Sequence, residues 1–291
     1  MEGCAAPTIR DYKVHFDLKE NAKPVQAQPF HLSPYDEARV EFHIKDNVRL
    51  GKLQPIDIHK DKLPDWSTPA FVVDHDRKGL LGRLVCAFGP LNQALVPVSF
   101  PSADPDAAFK ACQGRAYHST CDCIWGFTQL LLDEETSHKL CICTRSGLYR
   151  WLRLPFGPMP GPAIFQSYVH SKFHHLRDRK GERFINALMD DIKISSKTLD
   201  DHIEHVKLMN EEAQKAGFEF KFTKCKFCRD EIVLWGFVCN EHGRKADPPK
   251  IDQVKNWKQP LSKEELASFL AFANYLREYF EPEWLEHSNT L

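Results

Sequence analysis

Residues 184–196 read Phe-Ile-Asn-Ala-Leu-Met-Asp-Asp-Ile-Lys-Ile-Ser-Ser, and this stretch decides how the chain is interpreted. Two apolar runs flank the acidic pair Asp190-Asp191, a pattern that predicts a β-hairpin with both aspartates at its tip. A carboxylate between apolar strands costs free energy unless a cation pairs with it. Two interpretations therefore stand side by side: a solvated turn, or an acidic site that binds cations.

Asp122 supplies a third acid from another predicted strand, at 117–124. Because strand side chains alternate between faces, Asp122 points one way and Cys121 and Cys123 point the other. If the cysteines face the core, Asp122 faces a groove. Bringing Asp122 against the acidic pair would demand divalent cations, and oxygen-only ligands suit Mg²⁺. Two such ions support an in-line phosphoryl displacement.

Helices and strands alternate along the rest of the chain. Ser33-Pro34 opens a predicted helix that ends at Gly51, and Ser102 caps another that reaches Gln113. The other predicted helices are 160–180, 198–217, 248–257 and a last one from 262 onward. The other predicted strands are 70–73, 83–88, 139–144, 148–152 and 231–239. This interleaving predicts an α+β fold with a small helical end.

Composition excludes several classes of protein. The 291 residues include 39 basic and 40 acidic ones, so no field of the whole chain attracts nucleic acid or membrane. No apolar run approaches the roughly 20 residues of a membrane span. The first 30 residues lack the apolar core of a signal peptide, so we expect an intracellular protein, cytoplasmic or nuclear and not secreted. The ten cysteines are then expected to be thiols or metal ligands rather than disulfides.

The order of several segments and the residues within them resemble the reverse transcriptase domain of gypsy-type LTR retrotransposons and, more distantly, the retroviral polymerases. The resemblance runs from about Tyr12 to Phe280 and includes Arg83 and Leu91-Asn92. The other matching stretches are 28–34 (Gln-Pro-Phe-His-Leu-Ser-Pro), 66–69 (Trp-Ser-Thr-Pro), 119–122 (Ser-Thr-Cys-Asp), 154–157 (Leu-Pro-Phe-Gly), 162–166 (Pro-Ala-Ile-Phe-Gln), 188–191 (Leu-Met-Asp-Asp), 224–227 (Lys-Cys-Lys-Phe), 235–236 (Trp-Gly) and 268–270 (Ser-Phe-Leu).

The resemblance implies a right-hand polymerase, with fingers, a palm built on an antiparallel sheet and a small helical thumb. It places an N-terminal arm at 1–27, fingers at 28–96 and 130–159, the palm at 97–129 and 160–243, and thumb-like helices at 244–291. It also implies that Asp122, Asp190 and Asp191 are the catalytic metal ligands, for Mg²⁺ or Mn²⁺.

Substrate contacts are implied by the same resemblance. Arg83, with Arg77 or Lys78, would hold the incoming dNTP, together with the template and nucleotide segment at Phe156-Gly157. Phe127 would be the aromatic gate that rejects a ribose 2′-hydroxyl, and its alternative is a core aromatic. On the primer and template side the implied residues are Leu188, Met189, Trp235 and Gly236.

Departures from the family pattern bear on activity. Ala87-Phe88-Gly89 stands where the family has Asp-Tyr-Arg, so both members of an ion pair are absent together and no orphan charge remains. Leu188 replaces the tyrosine of Tyr-x-Asp-Asp and is expected to share a strand face with Asp190. Pro158, Pro160 and Pro162 stiffen the nucleotide segment.

Two further patterns have alternative explanations. Cys225, Cys228, Cys239 and His242 have the spacing of a Zn²⁺ site, but buried thiols are the favoured interpretation. Basic residues cluster in two segments and suit nucleic acid or, equally, a solvated face. These clusters are Lys172, Arg177, Arg179, Lys180 and Arg183, then Lys215, Lys221, Lys224 and Lys226, the second interleaved with Phe218, Phe220, Phe222 and Phe227.

The sequence thus predicts an RNA-directed DNA polymerase that extends a primer 3′-hydroxyl with dNTPs on an RNA or DNA template. The three acids favour this function. Ala87, Gly89 and Leu188 favour the alternatives, a retroelement-derived nucleic-acid-binding module or a structural subunit on the same fold. We recognise no RNase H sequence, so a larger assembly or a separate RNase H is the expected partner, and no membrane partner is expected.

Overall fold

A computed structural model of the chain describes residues 6–74, 81–101, 109–234 and 236–280. Contacts between Cα atoms divide the chain into two compact units. The first unit comprises Met1–Ala103, Thr120–Lys193 and Glu204–Cys225, and the second comprises Asp104–Ser119, Ile194–Ile203 and Lys226–Leu291. Among the helices of the described residues, none combines the length and apolarity that a membrane crossing requires.

Helices and strands alternate as the sequence predicts, and the mixed α+β class is confirmed. The helices are α1 (Pro34–Arg49), α2 (Gly89–Ala94), α3 (Glu134–Lys139), α4 (Gly161–Phe173), α5 (Leu199–Ala216), α6 (Pro248–Lys255) and α7 (Lys263–Tyr275). The strands are β1 (Ile9–Val14), β2 (Leu53–Pro55), β3 (Thr68–Val73), β4 (Arg83–Cys86), β5 (Tyr117–Asp122), β6 (Leu130–Leu132), β7 (Cys141–Thr144), β8 (Gly147–Trp151), β9 (Ile185–Leu188), β10 (Asp191–Ser196), β11 (Lys226–Arg229), β12 (Ile232–Leu234), β13 (Phe237–Asn240) and β14 (Gly243–Ala246).

Sequence-encoded caps start three of the long helices where they were expected. Ser33 accepts a hydrogen bond from the Asp36 amide at the start of α1. Thr198 and Ser262 do the same at the starts of α5 and α7, accepting from residues three positions on. Each cap satisfies one amide that the first turn of a helix leaves without a partner, which fixes where the helix begins.

The strands of the described residues form four sheets. Within the first unit, a five-stranded sheet has the order β2-β8-β7-β3-β4, and β1 pairs with β6 in parallel. Within the second unit, β12, β13 and β14 form an antiparallel meander. A four-stranded sheet has the order β11-β5-β10-β9.

A buried arginine organises the start of the first unit. Arg153 is 5% exposed and donates hydrogen bonds to the backbone oxygens of Ala6, Pro7, Gly51 and Thr128 at 2.5 to 3.2 Å. It also donates to the Thr8 hydroxyl at 2.5 Å. Burial lowers the pKa of this guanidinium. The first residues of the segment expected to be an N-terminal arm are therefore bound to the rest of the unit by the hydrogen bonds of Arg153 and by the pairing of strand β1.

The second unit has its own core. Aromatic and aliphatic side chains of the meander pack with Leu276, and Phe109 stacks edge-on against Phe237 with ring centroids 5.2 Å apart. The buried members are Phe109, Cys112, Ile232, Leu234, Phe237, Cys239, Ala246 and Leu276. The guanidinium of Arg244 lies 4.4 Å from the Phe109 ring, a cation–π contact at the edge of this core.

Two predicted elements are corrected by the structure, and a third lies mostly outside the residues that it describes. The helix expected at 160–180 ends at Phe173, and Asp178 then closes a loop by accepting the amides of Lys180 and Glu182. The single strand expected at 231–239 is the hairpin β12–β13, turned at Gly236 with φ 76°. The helix expected from Ser102 lies mostly outside the described residues.

Helix α3 is not among the helices predicted from the sequence, because it is short and lies between two strands. Asp133 caps it by accepting the Thr136 amide at 2.7 Å, Glu134 and Glu135 occupy its first turn, and Lys139 its last. These charges complement the helix dipole, and they are the signal of this helix in the sequence. As a result β7 begins at Cys141, two residues later than the strand expected at 139–144.

Candidate active site

The acidic residues come together in the first unit as the sequence predicts. Asp122 is the last residue of β5, and the cysteines on either side are buried, with Cys121 2% and Cys123 5% exposed. The Cys123 amide donates to the backbone oxygen of Asp190 at 3.1 Å. The β9–β10 turn is therefore hydrogen-bonded to the chain that directly follows Asp122.

Gln166 of α4 fixes the tip of the hairpin. Its side-chain oxygen accepts the Met189 amide at 2.6 Å and its nitrogen donates to the Ala187 oxygen at 3.1 Å. Met189 has φ 51°, a left-handed conformation that turns the chain sharply. Because β9 ends at Leu188, strand alternation stops before Asp190, and the expectation that Leu188 and Asp190 share one strand face does not hold.

Mutual repulsion and burial perturb the carboxyl groups. Burial, with the charges of Asp122 and Asp191, raises the pKa of Asp190 to about 6. Burial and Asp122 also raise the pKa of Asp191. Lys224 opposes both effects, and its Nζ lies 3.2 Å from Oδ2 of Asp122. An acid that resists ionisation beside two others marks a site where a cation would be stabilising.

Gly126 leaves the space that Asp190 occupies. A Cβ added at Gly126 would lie 1.9 Å from Oδ1 and 2.8 Å from Cγ of Asp190. Gly126 opens a short 3-10 turn, Gly126–Gln129, that follows Trp125. The sequence did not single out this glycine, because nothing in its local pattern shows that a distant hairpin tip packs against it.

Gly126→Ala should preserve the fold and disturb the site. The three atoms nearest to the added methyl group all belong to the Asp190 carboxylate, which can rotate away, so the melting temperature should change little. Primer extension should fall about tenfold or more, and the Mg²⁺ concentration for half-maximal rate should rise. Gly89→Ala is the matched control, because a Cβ at Gly89 meets nothing within 4 Å. Equal rates for both variants would contradict this account.

Phe127 lies in an aromatic cluster beside the acids. It is 7% exposed, and its ring centroid lies 4.9 Å from that of Phe156 and 4.8 Å from that of Phe165. Phe156 is 63% exposed. The structure thus places two of the implied nucleotide-binding residues, Phe127 and Phe156, in direct contact.

Gly157 is held by contacts that only glycine permits. It has φ 111°, and a Cβ there would lie 3.0 Å from Cδ2 of the buried Phe88. Asn92 donates to the Gly157 oxygen at 3.0 Å and accepts the Met159 amide at 2.8 Å. Phe88, one of the departures from the family pattern, therefore fills space against this segment, and Asn92 orients it.

The remaining implied site residues lie in several different parts of the fold. Arg83 is exposed at the start of β4, opposite Val73 of β3. Leu188 and Met189 are half-buried at the hairpin tip. Gly236 belongs to the second unit, where Lys250 and Tyr275 lie closest to it. Arg77, Lys78 and Trp235 lie outside the described residues.

The aromatic residues of the second basic cluster differ in burial. Phe218 is 4% exposed and packs on Phe173 and Phe220, with ring centroids 5.7 and 5.4 Å apart. Phe222 is 78% exposed, in a 3-10 turn (Phe222–Lys224) that ends at the lysine facing Asp122. Phe218 is therefore a core residue, while Phe222 and Lys224 lie on the surface beside the acids.

The donor chemistry of the acids suits Mg²⁺. All three side chains offer oxygen, and Oδ1 of Asp190 is buried with no hydrogen-bond partner. In the described residues, however, no three His, Cys, Asp or Glu side chains surround one ion position. Lys224 supplies the positive charge at Asp122 instead. An ion bound between Asp122 and Asp190 would therefore compete with Lys224 for the charge of Asp122.

The cysteine pattern considered for Zn²⁺ is spread over different environments. Cys239 is fully buried in the core of the second unit, whereas Cys228 and His242 of that unit are exposed. In the first unit the Cys225 thiol contacts the Lys221 oxygen at 3.4 Å. The nine described cysteines are all free thiols.

Comparison with known proteins assigns the family. The model of the reverse transcriptase (RNA-dependent DNA polymerase) family matches residues 81–255, which include all three acids. The chain belongs to this family. The solved structure of the foamy viral protease-reverse transcriptase in complex with RNA/DNA hybrid superposes with a TM-score of 0.74 at 21% identity, covering 89% of this chain and 33% of that one. The polymerase fold implied by the sequence is confirmed.

Relatives of this reverse transcriptase domain include longer proteins. The uncharacterized protein K02A2.6 of Caenorhabditis elegans is 31% identical over 270 residues, 91% of this chain and 20% of that protein. The retrovirus-related Pol polyprotein from transposon opus of Drosophila melanogaster is 27% identical over 269 residues, 92% of this chain and 26% of that protein. The chain therefore spans a fifth to about a quarter of these relatives.

Proposed function

We propose that this reverse transcriptase domain is an RNA-directed DNA polymerase that extends a primer 3′-hydroxyl with dNTPs. The observation that carries the proposal is the buried Oδ1 of Asp190, unpaired at a hairpin tip beside two further carboxylates. A chain that had lost catalysis would have no need to keep this repulsive arrangement. The foamy viral relative, which holds an RNA/DNA hybrid, supports a hybrid as the bound nucleic acid.

In this proposal each part of the site has one task. Asp122 and Asp190 are the main metal ligands, and Asp191 adds negative charge beside them. Divalent ions would activate the primer hydroxyl and stabilise the leaving oxygen of the triphosphate. Gln166 and Gly126 hold Asp190 in place, Arg83 and Lys78 bind the triphosphate, and the segment at Phe156-Gly157 shapes the nucleotide site. Met189, Trp235 and Gly236 contact primer and template.

The alternative, a binding module without synthesis, is favoured by one observation. Lys224 neutralises Asp122 at 3.2 Å, so the acids have a partial counter-charge without an ion. Primer extension on an RNA template with Mg²⁺ or Mn²⁺ separates the two. Synthesis supports the polymerase, whereas retained hybrid binding with no synthesis under either ion supports the binding module.

Phe127→Ala should raise ribonucleotide incorporation relative to deoxyribonucleotides by about tenfold or more, if the ring limits space beneath the sugar. Removing a buried aromatic also costs about 3 kcal/mol of packing. Phe165→Ala is therefore the control, because Phe165 packs on Phe127 and is fully buried. The measurement is the ratio of kcat/KM for the two nucleotide types. An equal change in both variants would assign Phe127 to the core alone.

Leu188→Tyr tests whether the domain is a weakened polymerase. Leu188 is half-buried at the end of β9, so a larger ring should be accommodated at small folding cost. A hydroxyl near the primer end should increase extension several-fold, mainly through a lower KM for primer-template. The measurement is extension rate against primer-template concentration, with Leu188→Phe as the control for bulk. No gain over phenylalanine would show that the missing hydroxyl is not what limits activity.

A further inference from the structure

Trp125 has a backbone conformation that bulky residues avoid. Its φ of 54° and ψ of 24° lie in the left-handed region, where the Cβ of an L-residue crowds its own backbone. Glycine is the residue that normally adopts this region without strain. Strained residues of this kind persist only where their surroundings hold them, and they concentrate at functional sites. Trp125 follows Asp122 by three positions and immediately precedes Gly126.

Lys52 holds the indole ring. Its Nζ lies 3.9 Å from the ring centroid of Trp125, and the lysine is only 6% exposed. Burial lowers the pKa of this ammonium to about 8. A desolvated cation over an indole face makes the strongest form of cation–π contact. The ring thus has a specific partner inside the first unit.

The backbone around Trp125 is held as well. The amide and the hydroxyl of Thr128 both donate to the Trp125 oxygen, at 2.8 and 2.9 Å. Gln129 donates to the Ile124 oxygen at 2.8 Å, and Arg153 donates to the Thr128 oxygen at 3.2 Å. With the ring held by Lys52, the turn at 124–128 has little freedom to shift.

This turn determines where the Asp190 carboxylate can lie. Gly126, its central residue, is packed so closely on Asp190 that any Cβ would overlap Oδ1. We propose that Lys52 is a positioning residue for the acidic site: by holding the Trp125 ring it fixes the turn against which the Asp190 carboxylate is placed. The proposal rests on the proposed function for its catalytic consequence, and metal binding can be measured independently of synthesis.

The test compares Lys52→Met with Lys52→Arg and measures Mn²⁺ affinity by titration calorimetry without primer or nucleotide. Lys52→Met, which removes the charge but keeps the length, should weaken Mn²⁺ binding about fivefold. Lys52→Arg, which keeps a cation for the ring, should stay within about twofold of the unaltered protein. Lys139→Met is the control, because Lys139 is another buried lysine, bonded to the Phe16 oxygen and Glu135. It should lower the melting temperature and leave Mn²⁺ affinity unchanged.

A double-mutant cycle with Trp125→Gly separates positioning from general stability. Glycine adopts the left-handed conformation freely, so the turn should form without a ring to hold. Lys52→Met should then have little further effect on Mn²⁺ affinity. The proposal is overturned if Lys52→Met leaves the Mn²⁺ affinity unchanged. It is also overturned if Lys52→Met weakens Mn²⁺ binding equally with Trp or Gly at position 125, or if Lys139→Met weakens it as much. Absence of Mn²⁺ binding by the unaltered protein would refute it together with the metal assignment. Mn²⁺ binding without primer extension would refute the polymerase alone.

Discussion

Asp190→Asn should reduce primer extension by on the order of 10³-fold while the protein remains folded. The substitution removes one unit of ligand charge from the carboxyl group whose Oδ1 atom is buried and unpaired. Asparagine has the same shape, so the packing on Gly126 is preserved. Asp200→Asn, at an exposed position in the first turn of α5, is the control and should leave extension unchanged. Equal rates for the unaltered protein and Asp190→Asn would refute the assignment of the site.

The same variant should be more stable than the unaltered protein in EDTA at neutral pH. Because the folded pKa of Asp190 is about 6 and the ordinary value is 3.8, the unfolded chain ionises first as pH rises. Ionisation of Asp190 therefore destabilises the fold progressively between about pH 4 and pH 6 and fully above that range. Asparagine does not ionise, so this destabilisation is absent from Asp190→Asn. Its melting temperature should therefore exceed that of the unaltered protein at pH 7 but not below pH 4.

Arg153→Met should cost on the order of 3 to 5 kcal/mol of unfolding free energy. It leaves five acceptors without their donor, in the segments around Pro7, Gly51 and Thr128. Lysine has three donors and no planar fork, so Arg153→Lys should recover only part of the loss. The measurement is denaturant unfolding at equilibrium.

Arg150→Met provides the comparison for that series. Arg150 is half-buried and donates to Gln54 and His138 rather than to backbone oxygens. Its loss should cost less than about 1 kcal/mol. Similar unfolding free energies for the Arg150 and Arg153 variants would show that the backbone carbonyls find other donors when the guanidinium is removed.

Local patterns in the sequence were enough to predict the elements that carry the acids. The apolar runs on either side of Asp190 specify a hairpin, and alternation about Asp122 specifies which face its cysteines take. Ser33, Thr198 and Ser262 specify helix starts, because a cap is a contact between residues three positions apart. Such features depend on neighbours in the chain, so they can be found without knowing the fold.

Contacts between distant segments could not be predicted in this way. The importance of Gly126 depends on an aspartate in another strand, and that of Arg153 on backbone oxygens, which every residue has. The residues around Lys52 in the sequence do not show that its ammonium group will contact an indole ring. Phe218 and Phe222 look alike in their shared basic cluster, yet one is 4% and the other 78% exposed, because only tertiary packing distinguishes them.

The thiols of the described residues differ in exposure and in pKa, and this difference favours one of them for attaching a probe. Burial raises the pKa of Cys86 and Cys141 to about 12, and it also raises that of Cys121, Cys123 and Cys143. At neutral pH these groups present almost no thiolate to a maleimide or iodoacetamide dye. Cys228, on strand β11, is the one exposed thiol among the described residues. Among the described thiols, Cys228 should therefore react with such a dye faster than these five, and a fluorophore placed there would report on changes around β11.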